Sequence, residues 1–182
     1  SVNERFYRTN WQISDRDIVV LYSGNMGHKQ GLEILLEAAR LMVNSHDILF
    51  VLCGEGEMKS QLLENGKDLP NVRLYPLQPL IQFNELLNLA DIHILPQRAD
   101  ASDLVLPSKL SGMLASGKVV VSTTPKDSEL GLIVGNVGVI TSPGNVKKLS
   151  EILLKLSRNP VRRAKLGEKG RNWVVSNWAK EK

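Results

Sequence analysis

The chain has 182 residues, 42% hydrophobic and 23% charged, and its 23 lysines and arginines against 19 acidic residues give a formal net charge of +4. That length buries a full core, and the composition is ordinary for a soluble globular protein. Aromatic residues are 5% of the chain and not interleaved with the basic ones, which speaks against nucleic acid; the single cysteine rules out an internal disulfide and suits a reducing compartment; no apolar stretch is long enough to span a bilayer.

Residues 1–16 show no periodicity and read as an extended linker into the fold. Asp17 to Ser23 reads as a buried strand that ends at Gly24-Asn25-Met26-Gly27. From Gly31 to Val43, apolar residues fall at Leu32, Leu35, Leu36, Ala39 and Met42, the spacing of a helix. Asp47 to Cys53 is a second strand, and its run Ile48-Leu49-Phe50-Val51-Leu52 marks a strand covered on both faces. Gly54-Glu55-Gly56 stops it, and Met58 to Leu63 continues as a helix. Asn71 to Tyr75 is a third strand, Leu80 to Ala90 a helix with Phe83, Leu86, Leu87 and Ala90 on one face, and Asp91 to Leu95 a fourth strand. A short helix, opened by Pro107 and stopped by Gly117, leads to a fifth strand, Val119 to Thr123. Proline suits a first helical turn because its missing N–H costs nothing there. Val137 to Ile140 is a short sixth strand, and two helices, Val146 to Ser157 and Val161 to Asn177, follow. This alternation predicts an α/β fold, a Rossmann-like, doubly wound parallel sheet of about six strands with helices on both faces. It occupies 17–160, with a terminal helix over 161–182.

In an open parallel sheet, ligands bind outside the carboxyl ends of the strands. The segment Asp103-Leu104-Val105-Leu106 and the helix start after it lie at such an end. The free N–H groups and dipole of a helix start favour a phosphate. Asp103, Leu104, Val105, Leu106, Ser108 and Lys109 are therefore candidate ligand contacts. The turn from Gly24 to Gly31 adds Gly24, Asn25, Gly27 and Lys29, since glycines let a ligand approach the backbone closely. A plain tight turn accounts for those glycines equally well. The spacing is not G-x-G-x-x-G and no carboxylate ends the second strand, which argues against a nicotinamide cofactor. Lys29 and Lys109, each beside a glycine-rich turn or a helix start, could reach a ligand phosphate as charge-assisted donors, with a merely solvated lysine as the open alternative. Glu129 lies just past the fifth strand, where a helix-start carboxylate and a ligand contact are both open readings. Glu55 and Glu57 belong to the first turn of the helix after them, and His28 reads as a surface residue. His46 and His93 have no metal-ligand spacing, and no metal site is assigned. The basic residues from Lys147 to Arg171, interrupted by Glu151 and Glu168, read as a solvated helix face, with anionic lipid or another domain as the alternative.

Several stretches, in order along the chain, form a recurring set of short motifs. They are Tyr22-Ser23-Gly24-Asn25-Met26-Gly27 with Gln30-Gly31-Leu32-Glu33, Leu52-Cys53-Gly54-Glu55-Gly56, and Ala90-Asp91-Ile92-His93-Ile94-Leu95-Pro96. Leu106-Pro107-Ser108-Lys109-Leu110, Ala115-Ser116-Gly117 and the ending from Arg158-Asn159-Pro160 through Gly170-Arg171 complete the set. Each is weak alone, but their order and spacing are fairly specific: together they resemble the carboxyl-terminal, donor-binding domain of a retaining GT-B glycosyltransferase of the group-1, family-4 type, in the branch of colanic acid and exopolysaccharide glycosyltransferases.

The resemblance implies an enzyme of bacterial exopolysaccharide or cell-surface glycan synthesis that transfers a hexose with retention. The donor would be a UDP- or GDP-linked sugar, and the partner an amino-terminal acceptor-binding domain that also supplies any acceptor-side base. It implies no cofactor and no obligatory metal: Lys29 and the 104–109 backbone would stabilise the leaving diphosphate, as oriented donors do. Leu77 to Pro79 would face the base, with Gly54 to Glu57 as the weaker alternative. The location implied is cytoplasmic, at the inner face of the membrane, with peripheral contact through a lipid-linked acceptor. The last helix would cross to the amino-terminal domain, leaving Trp173, Val174 and Trp178 without a full set of partners here. Two departures stand out. The family's two glutamates, eight positions apart, fall on Leu104 and Gly112, and its arginine and lysine after the first strand fall on Asn25 and Gln30. Asp103 and Lys29 are the nearest substitutes. A catalytically degenerate nucleotide-binding or regulatory module and a sugar-nucleotide epimerase-like domain remain the alternatives.

Overall fold

The computed structural model describes residues 2–101 and 106–178. Six parallel strands form one sheet in the order β3-β2-β1-β4-β5-β6. They are β1 Ile18–Ser23, β2 Ile48–Cys53, β3 Val72–Tyr75, β4 Ile92–Pro96, β5 Val119–Thr123 and β6 Val139–Thr141. Strands β1, β2, β4 and β5 are buried along almost their whole length, as expected of parallel strands covered on both sides. Alternate residues serve the two faces. Val20, Tyr22, Phe50 and Leu52 meet α2 Glu33–Leu41, α3 Lys59–Gly66 and α7 Val146–Ser157 on one side. Val19, Leu21 and Val51 meet α1 Phe6–Asn10 and α4 Phe83–Leu89 on the other. Further along that second face, Val120 packs with α5 Lys109–Ala115, α6 Glu129–Val137 and α8 Pro160–Asn177.

Three elements differ from the sequence reading. The stretch read as an extended linker contains α1, and its Tyr7 and Ile13 are buried in the core. Arg8 bonds the Asp91 carboxylate at 2.8 Å, and the same oxygen accepts from the Val19 N–H. The entry segment is therefore fastened across the amino ends of β1 and β4. Helix α6 is the second difference. Its Leu130, Val134 and Val137 stripe is buried, while Gly131 and Gly135 dilute the periodic signal; β6 consequently starts two residues later than expected. Third, Leu80–Gln82 forms a separate 3-10 turn before α4, with Leu80 and Ile81 turned to solvent.

Helix α8 packs on α5, α6, α7 and β5. Only Gly167 and Gly170 of it are buried. A Cβ on Gly167 would sit 1.9 Å from the Gly117 carbonyl oxygen, so this close approach of helix to backbone requires glycine. Trp173, Val174 and Trp178 pack against the α5–α6 core, the two indoles edge to face at 4.7 Å. The stripe expected to lack partners is thus half-covered by this chain itself, while Val161 and Val175 stay exposed.

Candidate functional site

The sheet order reverses direction between β1 and β4, so the crevice outside their carboxyl ends is the topological switch point where open α/β sheets hold ligands. The loops on its β1 side continue the parallel pairing beyond the strands. Gly24 N–H bonds the Cys53 carbonyl at 2.9 Å, Met26 N–H the Glu55 carbonyl at 2.8 Å, and Gly54 N–H the Tyr75 carbonyl at 3.0 Å. The turns after β1, β2 and β3 therefore form one hydrogen-bonded ledge.

Lys109 crosses this crevice. It begins α5, after β4, and its Nζ reaches the Tyr22 hydroxyl at the end of β1, at 3.3 Å, and lies 5.1 Å from that ring's centroid. Gly24 makes the approach possible: its φ is +144°, and a Cβ there would lie 1.9 Å from Lys109 Nζ. Burial alone pulls the Lys109 ammonium below its ordinary value, because desolvation disfavours charge. A partly desolvated cation at a switch point is equipped to take an anion. The Tyr22 hydroxyl in turn donates to the Asn25 carbonyl.

The other candidates divide. Gly24, Asn25, Gly27 and Lys109 gather around the crevice, with Asn25 exposed and Gly27 buried. Lys29 is exposed in the 3-10 turn His28–Gln30, and its carbonyl accepts from the Arg98 N–H, so this turn is tied to the loop after β4. Ser108 is the exposed residue before α5, and Leu106 packs its side chain into the core. Pro107 precedes the helix rather than opening it; its carbonyl accepts from the Leu110 N–H. Asp103, Leu104 and Val105 lie outside the described residues. Glu129 is exposed in the first turn of α6, where the dipole accounts for it and Ser128 caps the helix by accepting from Gly131 N–H at 3.0 Å. Glu55 is bound by Lys59 at 2.6 Å, which is the chief reason its carboxyl sits below the ordinary range.

Leu77 and Pro79 stand at the outer end of the ledge, Leu77 65% exposed and Leu80 and Ile81 87% and 89%. This is an uncovered apolar rim. The loop is braced from behind: Trp11 stacks on Tyr75 with centroids 3.7 Å apart, and the Tyr7 hydroxyl donates to the Gln78 side-chain carbonyl at 3.2 Å. Burial, with Cys53 and Glu85 adding, pushes the Tyr7 phenol up to about 12, so that bond keeps its proton. Tyr22 and Tyr7 were not among the sequence candidates. Aromatics in strand and linker positions look like core, and only their hydroxyls, placed by the fold, reveal the contacts.

Position 112 faces α4: a Cβ there would lie 3.3 Å from Leu87 Cδ1 and 3.6 Å from Phe83 Cε1. A hollow of about 370 Å³ beside the crevice is lined by Glu33, Glu37, Gln97, Arg98 and Asp100, and its one arginine is already paired with Asp100. It offers an anion far less than Lys109 does.

The family model described as glycosyl transferases group 1 matches residues 3–173. A putative colanic acid biosynthesis glycosyl transferase, WcaI, of Escherichia coli K12 is 35% identical over 147 residues, 78% of this chain and 36% of that protein. The C-terminal domain of a glycosyl transferase group 1 family protein (LpcC) from Francisella tularensis shares the fold, with TM-score 0.75 and 16% identity over 98% of this chain and 94% of that one. Anabaena HepE, solved in complex with UDP-glucose, does so with TM-score 0.76 and 16% identity over 96% of this chain and 48% of that one. The chain thus spans about a third of WcaI and about half of HepE. These neighbours carry the GT-B type of Rossmann-like domain.

Proposed function

The chain belongs to the group 1 glycosyl transferases, and from that premise we propose that it is the donor-binding domain of a retaining enzyme that builds bacterial exopolysaccharide or another cell-surface glycan. The observation that carries the reading is the Lys109 ammonium, held across the β1–β4 crevice with a neutral hydroxyl as its acceptor. In this reading the diphosphate of a UDP- or GDP-linked sugar meets Lys109, with Lys29 closing over it. Those cations stabilise the charge that develops on the diphosphate as the sugar leaves, without an obligatory metal. The base lies along the rim at Leu77 and Pro79. HepE's complex with UDP-glucose supports the donor class by analogy of fold. The acceptor, lipid-linked and presented at the cytoplasmic face of the membrane, is bound by an amino-terminal domain. Transfer needs both reactants held in one geometry, so this chain alone binds donor and does not turn it over. Among the described residues, no helix is long and apolar enough to cross a membrane.

A second reading, nucleotide binding without transfer, is favoured by one observation. Position 112, which matches a family glutamate, is glycine and faces Leu87 and Phe83. Calorimetry with UDP, GDP, uridine and guanosine tests the shared premise. One diphosphate should bind at least tenfold more tightly than its nucleoside; no binding by either diphosphate refutes both readings. Turnover by the chain joined to its acceptor domain separates the two.

A further inference from the structure

We propose that Tyr22 is a positioning residue for the phosphate side of this site, its hydroxyl holding the Lys109 ammonium over Gly24 and tying it to the loop after β1. The inference rests on the nucleotide reading above and adds to it a residue that touches no ligand.

The proton inventory fixes the direction of both bonds. A phenol has one proton to give and lone pairs to receive with, an ammonium only donates, and a carbonyl only accepts. The Tyr22 proton therefore goes to the Asn25 carbonyl, and its lone pair takes the N–H of Lys109, 3.3 Å away. The three groups form a chain from α5 through β1 to the turn that follows it. The ring is fully buried on the α2 face of the sheet, so its hydroxyl sits at a fixed place. Gly24, two residues on, leaves the space the ammonium enters. Burial raises the Tyr22 phenol above its ordinary value, so it stays protonated and never becomes a counter-ion; the charge on Lys109 stays available to an anion. A lysine already held in its bound rotamer has less freedom to lose when a phosphate arrives, and that is preorganisation.

Tyr22→Phe removes the hydroxyl and keeps the ring. In calorimetric titrations of the chain, the variant should bind whichever of UDP or GDP the wild type binds about three- to tenfold more weakly. It should bind the matching nucleoside unchanged. The loss should vanish in a Lys109→Met background, which a merely structural role of Tyr22 would not produce. Unchanged diphosphate affinity overturns the inference, and so does a loss shared equally by the nucleoside or one that persists without Lys109. If the wild type binds no diphosphate, or Lys109→Met binds it as well as the wild type, the nucleotide reading itself has failed. A measurement on the unliganded wild type needs no variant: NMR contacts between the Lys109 Hε protons and the Tyr22 ring are expected, and a freely rotating Lys109 without them overturns the positioning role.

Discussion

Replacing Lys109 by Met keeps the length of the side chain and removes its charge. A charge-assisted bond to a phosphate oxygen is worth about 1.5–3 kcal/mol, and each 1.4 kcal/mol is about tenfold in affinity. Lys109 is already partly desolvated and has the neutral Tyr22 oxygen as its acceptor, so little of its hydration is left to lose when an anion arrives. That places the effect in the upper half of the range, about 40- to 140-fold weaker binding of the nucleoside diphosphate. The bare nucleoside should bind as before. Isothermal calorimetry on both ligands reads the two numbers directly. The pH dependence has a defined sign. The free lysine has a lowered pKa and an anion raises it, so wild-type affinity should fall as pH rises through the lowered value, and the variant should lack that limb. Stability should move the other way. A lysine whose folded pKa lies below its unfolded one destabilises the fold while charged, and this cost is relieved as pH rises from the folded pKa to the unfolded one. At neutral pH Lys109→Met should therefore melt no lower than the wild type. Equal losses for diphosphate and nucleoside, or a markedly lower melting temperature, would show that Lys109 holds the fold rather than a ligand.

On the base side the opposite signature is expected: Leu77→Asp should weaken nucleoside and diphosphate by the same factor, because the rim follows β3, two strands away from the β1 end that Lys109 reaches, and a selective loss of the diphosphate would contradict that assignment. Gly167→Ala forces a Cβ to 1.9 Å from the Gly117 carbonyl and should cost about 1–3 kcal/mol in urea unfolding; a neutral result would mean α8 is free to shift. His93 is fully buried, and burial, with Lys118 adding, drops its pKa from 6.5 to about 3. The unfolded state then binds the extra proton between those values, so stability is lost as pH falls from 6.5 toward 3. Between pH 7 and pH 5 the wild type should lose about 2 kcal/mol more than His93→Gln, and parallel curves would refute a neutral buried imidazole. Burial pushes the Cys53 thiol up to about 11, so it should resist thiol reagents at pH 8 until the chain unfolds.

Much of the fold was legible because parallel strands buried on both faces write themselves as runs such as Ile48 to Leu52, and amphipathic helices such as α7 keep their period. What was not legible has definite causes. Helix α1 is a single short turn with no period to detect, and its placement depends on Gln78 and Asp91, distant in sequence. Helix α6 carries two glycines on a short stripe. At the site, Lys109 could be singled out from the chain because proline, serine and lysine before an apolar run mark a helix start. Its partner could not: Tyr22 is one more apolar-looking residue in a buried strand until the sheet order brings β1 beside β4. Lys29 and Lys109 looked equivalent in sequence, and the fold distinguishes them, one exposed and the other half-buried in the crevice.

In the proposed donor complex the diphosphate of a nucleotide sugar lies across the β1–β4 crevice. A crystal structure of the chain with the tighter binder of UDP and GDP tests it most directly. A phosphate oxygen is expected about 3 Å from Lys109 Nζ, beside Gly24, with the base against Leu77 and Pro79. A diphosphate seated in the hollow of Glu33, Gln97 and Arg98, or at the amino ends of the strands beside Lys118 and Arg171, would contradict it.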